Sequence, residues 1–166
     1  MPNHTSKYDH HFKIYADIYF GDEVSWQWFK AMGIAESNLD PRAQSPVGAM
    51  GIMQLMPGTS AQVAQELWLA DNPFDPQINI LMGIHYARKM WNIFKKEEGL
   101  ERLCFMFGAY NAGAGNIIKA QGRAKLSYIW DDIAAALPSV TGRHATETIQ
   151  YVERILSIRQ QMIGDL

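Results

Sequence analysis

Trp26-Gln27-Trp28-Phe29-Lys30-Ala31-Met32-Gly33-Ile34-Ala35-Glu36-Ser37-Asn38-Leu39-Asp40-Pro41 is the stretch on which the fold reading turns. Trp26, Phe29 and Met32 lie three residues apart, and Trp28, Met32 and Ala35 form a neighbouring row. That spacing predicts a buried helix over 24–37. Pro41 prevents its continuation, and Asn38 and Asp40 suit the turn that follows. Glu36 therefore stands at a helix C-terminus directly after an apolar run. The helix dipole and apolar packing both disfavour a carboxylate there, which would raise its pKa and suit it to donating a proton. Alternatively, Glu36 points to solvent from the last turn.

Helical spacing dominates outward from this segment, and strand signals are scarce. Two glycines among apolar residues in Gly48-Ala49-Met50-Gly51-Ile52-Met53-Gln54-Leu55-Met56-Pro57 predict an ordered loop with a short β-like excursion. Thr59 with Gln62 reads as a capping box opening a helix over 59–69. Asp75-Pro76 opens another, with Ile80, Ile84, Ala87, Trp91 and Phe94 as its apolar stripe and Gly99 as its end. Further helices are expected over 100–110, 116–120, 128–137 (closed by Pro138) and 145–162 (capped by Thr146). The expectation is a mainly α domain of about six to eight helices. Residues 1–20 read as an N-terminal extension or packing segment and 21–166 as the domain proper.

The chain has 166 residues, 48% apolar and 19% charged, enough for one domain with a real core. A formal net charge of -2 gives no electrostatic reason to expect nucleic acid. No apolar run approaches the ~18 residues of a membrane span. The N-terminal residues lack the apolar core of a signal peptide, which leaves the export route open. Cys104 is the only cysteine and reads as a small buried hydrophobe. The five histidines form no metal motif, so no metal and no cofactor are expected.

Two more segments break helical logic while placing polar residues beside apolar ones. Gln54 lies within Ile52-Met53-Gln54-Leu55-Met56, where its amide either satisfies backbone groups or binds a ligand. Tyr110-Asn111 precedes Ala112-Gly113 and is either a helix cap or a ligand contact.

Taken together, Glu36-Ser37-Asn38-Leu39-Asp40-Pro41, the 48–57 run and Ala109-Tyr110-Asn111-Ala112-Gly113 resemble the soluble lytic transglycosylase (SLT) domain. Asp75-Pro76-Gln77-Ile78-Asn79-Ile80 with Gly83, and Glu147-Thr148-Ile149-Gln150-Tyr151-Val152, match its connecting stretches. The likeness covers about residues 26–158. Ala35 stands where the family often has glutamine, Ala114 where proline is frequent, and Ile52 replaces a frequent leucine. The resemblance implies a lysozyme-like fold related to goose-type lysozyme, acting on the glycan strands of peptidoglycan. It implies Glu36 as catalytic acid/base, with Ser37 beside it. Met53 and Gln54 would line the cleft, Tyr110 and Asn111 would form another wall, and Tyr151 would bring its hydroxyl towards Glu36.

Most glycosidases use two carboxylates, about 5 Å or about 6.5–9.5 Å apart. Asp40, Glu66, Asp71 and Asp75 fall at turn, surface or capping positions, and no second carboxylate has a motif of its own. The resemblance implies a mechanism using one glutamate, in which the muramic acid C6 hydroxyl closes a 1,6-anhydro ring. A hydrolytic lysozyme on the same fold and a catalytically silent glycan-binding module are the alternatives. The expected setting is periplasmic, extracellular or phage-borne, and the expected state a monomer.

Overall fold

A computed structural model describes residues 5–164. Residues 1–4 of the expected N-terminal segment and 165–166 of the expected domain lie outside them. The described residues hold nine helical segments and two isolated antiparallel bridges, Gln44 with Met50 and Met50 with Leu55. The mainly α expectation holds, and the bridges are its β excursion. Residues 5–86 with 155–164 form one compact body and residues 87–154 another.

The first body contains α1 (Asp9–Phe20), α2 (Trp26–Ser37) and α3 (Pro57–Glu66). It also holds the first part of α4 (Pro76–Ile93) and the last part of α9 (His144–Gly164). Helix α1 was not expected from the sequence. Its inner row is narrow, with Tyr8, Phe12, Ala16 and Phe20 spaced four apart and all buried, and the exposed Ile14 and Ile18 blur the stripe in the sequence. The helix packs on α2, where the Phe20 and Phe29 rings meet at 4.8 Å. Lys30, buried in α2, pairs with Asp9 of α1 at 2.6 Å. A buried charge left without its partner would be costly, so this pair specifies how α1 meets α2.

Two expected boundaries shift in this body. Helix α3 begins at Pro57, and Thr59 lies inside it; no side-chain cap bond forms. Proline at the first helical position presets the backbone, which starts the helix before the anticipated capping box. The helix also ends at Glu66, short of residue 69. Asp75 does cap α4 as expected, its Oδ1 accepting the Ile78 N–H at 2.9 Å.

The second body comprises the end of α4, then α5 (Gly99–Ala112), α6 (Ala114–Arg123), α7 (Trp130–Ala136), α8 (Pro138–Thr141) and the start of α9. Gly99 opens α5 rather than ending α4, which stops at Ile93. Phe94 continues the apolar spacing but has left the helix to pack edge-on against Phe105 at 5.3 Å. Phe105 also meets Trp130 at 6.1 Å. Pro138 begins the one-turn α8 instead of closing the segment, again as a first-turn proline. Helix α9 starts at His144, so Thr146 is not its cap.

Candidate active site

Helix α2 delivers Glu36 one residue before its end, half-buried. Asn38 takes the left-handed cap conformation at φ 55°, and its N–H donates to the Ile34 carbonyl at 2.9 Å. Leu39 follows with φ 62° and is buried. The chain thus turns sharply just beyond Glu36. Ser37 donates its hydroxyl to the Ile52 carbonyl at 2.8 Å, with a longer contact to Gly33 at 3.3 Å. This bond ties the end of α2 to the glycine-bearing loop.

That loop is tightly specified. Gly51 has φ 76°, and a Cβ there would lie 2.7 Å from Asn79 Cγ and closer still to the Pro73 carbonyl. Only glycine fits both the conformation and the space. Met53 is wholly buried. Its wall includes Gly83, where an added Cβ would come within 2.7 Å of Met53 Cβ and Cγ. Gln54 adopts φ 49°, and its amide donates to the carbonyls of Gly51 at 2.9 Å and Ala43 at 3.3 Å. The amide N–H groups therefore close the loop, and Oε1 is the atom suited to a ligand donor.

Asn79 was not singled out from the sequence as a site residue, yet it organises this region. Fully buried on α4, it accepts the Met53 N–H at 2.7 Å. It also donates to the carbonyls of Met50 at 3.0 Å and Pro73 at 2.8 Å. An amide among Ile78, Ile80 and Leu81 was the available signal, since a buried polar group needs partners. In the first body, Ser37 and Asn79 thus hold the loop that carries Met53 and Gln54, and Glu36 precedes Ser37 on α2.

The four carboxylates weighed as partners to Glu36 have local roles. Asp40 accepts the Arg42 N–H, Asp75 caps α4, and Asp71 accepts the Ser60 hydroxyl at 2.5 Å. Glu66 is held by Gln62 at 3.0 Å and by His85 at 2.7 Å.

In the second body, Tyr110 is buried near the end of α5 and Asn111 is half-buried beside it. Gly113, at φ 85°, separates α5 from α6. Thr148 on α9 donates to Asn111 Oδ1 at 2.8 Å, orienting that amide. Tyr151 lies three residues further along α9 and is buried. A cavity of about 400 Å³ opens beside Asn111 and Thr148, with Asn116, Thr141, His144 and Glu147 supplying most of its polar wall. Burial first, then the charges of Glu101 and Asp131, push the Cys104 thiol up to about 12, leaving it an inert buried hydrophobe. Among the described residues, no group of three His, Cys, Asp or Glu side chains is placed to hold a metal. Among the described residues, no helix is long and apolar enough to cross a membrane.

Residues 20–133 match the family model described as the Transglycosylase SLT domain. The match includes Glu36, Ser37, Met53, Gln54, Tyr110 and Asn111 and ends before Tyr151. A membrane-bound lytic murein transglycosylase F of Desulfosudis oleivorans is 33% identical over 148 residues, covering 80% of this chain and 32% of that protein. The 70 kDa soluble lytic transglycosylase of Escherichia coli superposes with a TM-score of 0.74 at 28% identity, over 92% of this chain and 23% of that one. An inactive mutant of the lytic transglycosylase Slt of Pseudomonas aeruginosa, with one glutamate changed to glutamine, gives 0.73 at 25% identity, over 92% and 23%. The chain belongs to the SLT transglycosylase domain family, with its mainly α, lysozyme-like fold. It spans about a third of the length of the curated relatives it matches.

Proposed function

We propose that this chain is a lytic transglycosylase domain that cleaves the β-1,4 bond between N-acetylmuramic acid and N-acetylglucosamine in peptidoglycan. The observation that carries the reading is the placement of Glu36 within an SLT domain match, at the end of α2 and tied through Ser37 to the Met53-Gln54 loop. The naming of its relatives as murein transglycosylases supports the substrate. The inactivity of the glutamate-to-glutamine mutant of the Pseudomonas aeruginosa protein supports an essential glutamate in a relative of this fold.

Glu36, protonated, donates its proton to the glycosidic oxygen as the bond to the muramic anomeric carbon breaks. The substrate's acetamido group stabilises that carbon, in the place of a second carboxylate. The local engagements of Asp40, Glu66, Asp71 and Asp75 favour such a mechanism. Glu36, now a carboxylate, removes the proton of the muramic C6 hydroxyl, whose oxygen bonds to the anomeric carbon. The products are a 1,6-anhydro end and a free 4-hydroxyl, with no water consumed. Gln54 Oε1 receives a sugar donor and Met53 backs the loop that presents it. Ser37, Tyr110, Asn111 and Tyr151 are proposed as further glycan contacts. The domain acts as a monomer, outside the cytoplasmic membrane where peptidoglycan lies.

Digestion of purified sacculi followed by mass spectrometry tests the reaction. Anhydro-muropeptides are expected. Reducing ends, heavier by one water, would instead identify a hydrolytic lysozyme. Glu36→Gln is expected to lower cleavage by at least about 10²–10⁴-fold with its unfolding curve unchanged. Wild-type cleavage by that variant would remove Glu36 from the mechanism.

A further inference from the structure

Trp68 is 95% exposed, yet its backbone is held in the left-handed region at φ 56°. It follows α3 in a Schellman turn. The Trp68 N–H donates to the Gln65 carbonyl at 3.2 Å and the Leu69 N–H to the Ala64 carbonyl at 2.9 Å. Glycine usually fills this position, because a side chain there crowds its own backbone. A tryptophan at this point costs conformational energy and recovers none of it through burial. Its ring is placed to serve something outside the protein's own core.

The surroundings indicate what that is. Gln65, Glu66, Ala70, Asp71 and Asn72 are all exposed, so the ring stands in a mainly polar field. Protein-binding hot spots are instead ringed by contacts that exclude water. A polar field with one aromatic face suits a ligand having an apolar face and a hydroxylated edge. A pyranose ring has this shape, with axial C–H bonds on a face and hydroxyl or acetamido groups around the rim. An indole face can stack on such C–H bonds, and the exposed amides of Gln65 and Asn72, three and four residues away in the chain, are of the type that bonds sugar hydroxyls.

We propose that Trp68 is a stacking platform for an amino-sugar ring of a glycan strand, in addition to the residues named with Glu36. The proposal rests on the reading of the chain as a peptidoglycan-cleaving domain. A second point of contact on one strand would raise overall retention without altering the reacting bond.

The test uses the full chain carrying Glu36→Gln, so that glycan is bound and not cut. Retention on purified sacculi is measured by cosedimentation. Chitotetraose is then titrated while the Trp68 indole N–H resonance is followed, assigned by its loss in Trp68→Ala. Trp68→Ala and Trp68→Gly are expected to weaken retention about 3- to 10-fold, and Trp68→Tyr to preserve most of it. Trp68→Gly is also expected to unfold at a higher temperature, which separates lost binding from lost structure. Equal retention by all variants, with an unmoved indole resonance, overturns the proposal and turns attention to a protein partner. Failure of the Glu36→Gln parent itself to bind sacculi overturns both this proposal and the peptidoglycan reading.

Discussion

The Ser37 hydroxyl donates to the Ile52 carbonyl at 2.8 Å, joining the last residue of α2 to the loop that carries Met53 and Gln54. The bond links the residue next to Glu36 directly to that loop. Ser37→Ala is expected to cost about 0.5–1.5 kcal/mol in urea unfolding. Turnover of sacculi is expected to fall further than that loss of stability explains, because the loop is no longer held in register with Glu36. Unchanged turnover would show that the loop holds its place without the bond.

Asn79 makes three hydrogen bonds to loop backbone from a fully buried position. Asn79→Ala leaves a buried N–H and two carbonyls to find other partners, with an expected cost of at least about 2 kcal/mol. Asn79→Asp is expected to destabilise as well, since it puts an acceptor against the Met50 and Pro73 carbonyls. Denaturant midpoints of the two variants check both expectations.

Gly83 lies against Met53, and an added Cβ would sit 2.7 Å from the Met53 Cβ. Gly83→Ala is therefore expected to destabilise by about 1–3 kcal/mol, because neither Cβ can rotate away. Combining it with Met53→Ala is expected to give only partial rescue, since the equally close Cγ is removed while the Met53 Cβ remains. A double-mutant cycle in urea reads this directly.

Cys104 predicts a dependence on alkaline pH. Its folded thiol is pushed up to about 12 from an ordinary value of 9.0. Below pH 9 both folded and unfolded thiols are protonated, and the group has no effect on stability's slope. Above pH 9 the unfolded chain loses the proton and the folded one keeps it, so stability falls as pH rises towards 12. The expected slope is at most about 1.4 kcal/mol per pH unit. Cys104→Ala is expected to flatten that alkaline loss, and alkylation of the native thiol at pH 8 is expected to be very slow.

The legible parts of this fold are those where local signals agree. Helix α2 announces itself through Trp26, Phe29 and Met32 and is stopped before Pro41, so the position of Glu36 follows from its own neighbours. Asp75 caps α4 because carboxylate and proline adjoin in the chain. Helix α1 was hidden because its row of Tyr8, Phe12, Ala16 and Phe20 is one residue per turn wide. The start of α3 was misplaced because the Thr59 capping pattern competed with Pro57, and the proline's fixed dihedral won. Gln54 stayed ambiguous because an amide can serve backbone or ligand; its N–H groups proved to serve Gly51 and Ala43.

By itself, the sequence determined a mainly α chain, a carboxyl at the end of a buried helix and a set of motifs in family order. These depend on residues near each other in the chain, or on their order along it. Only the tertiary structure decided what holds the Met53-Gln54 loop in place: the Ser37 bond across 15 residues, the Asn79 bond to Met53 across 26, and the contact of Gly83 with Met53. Each involves groups whose value is set by what stands opposite them in space. A buried hydroxyl or amide has no sequence signature of its own until folding supplies the partner that repays its loss of water.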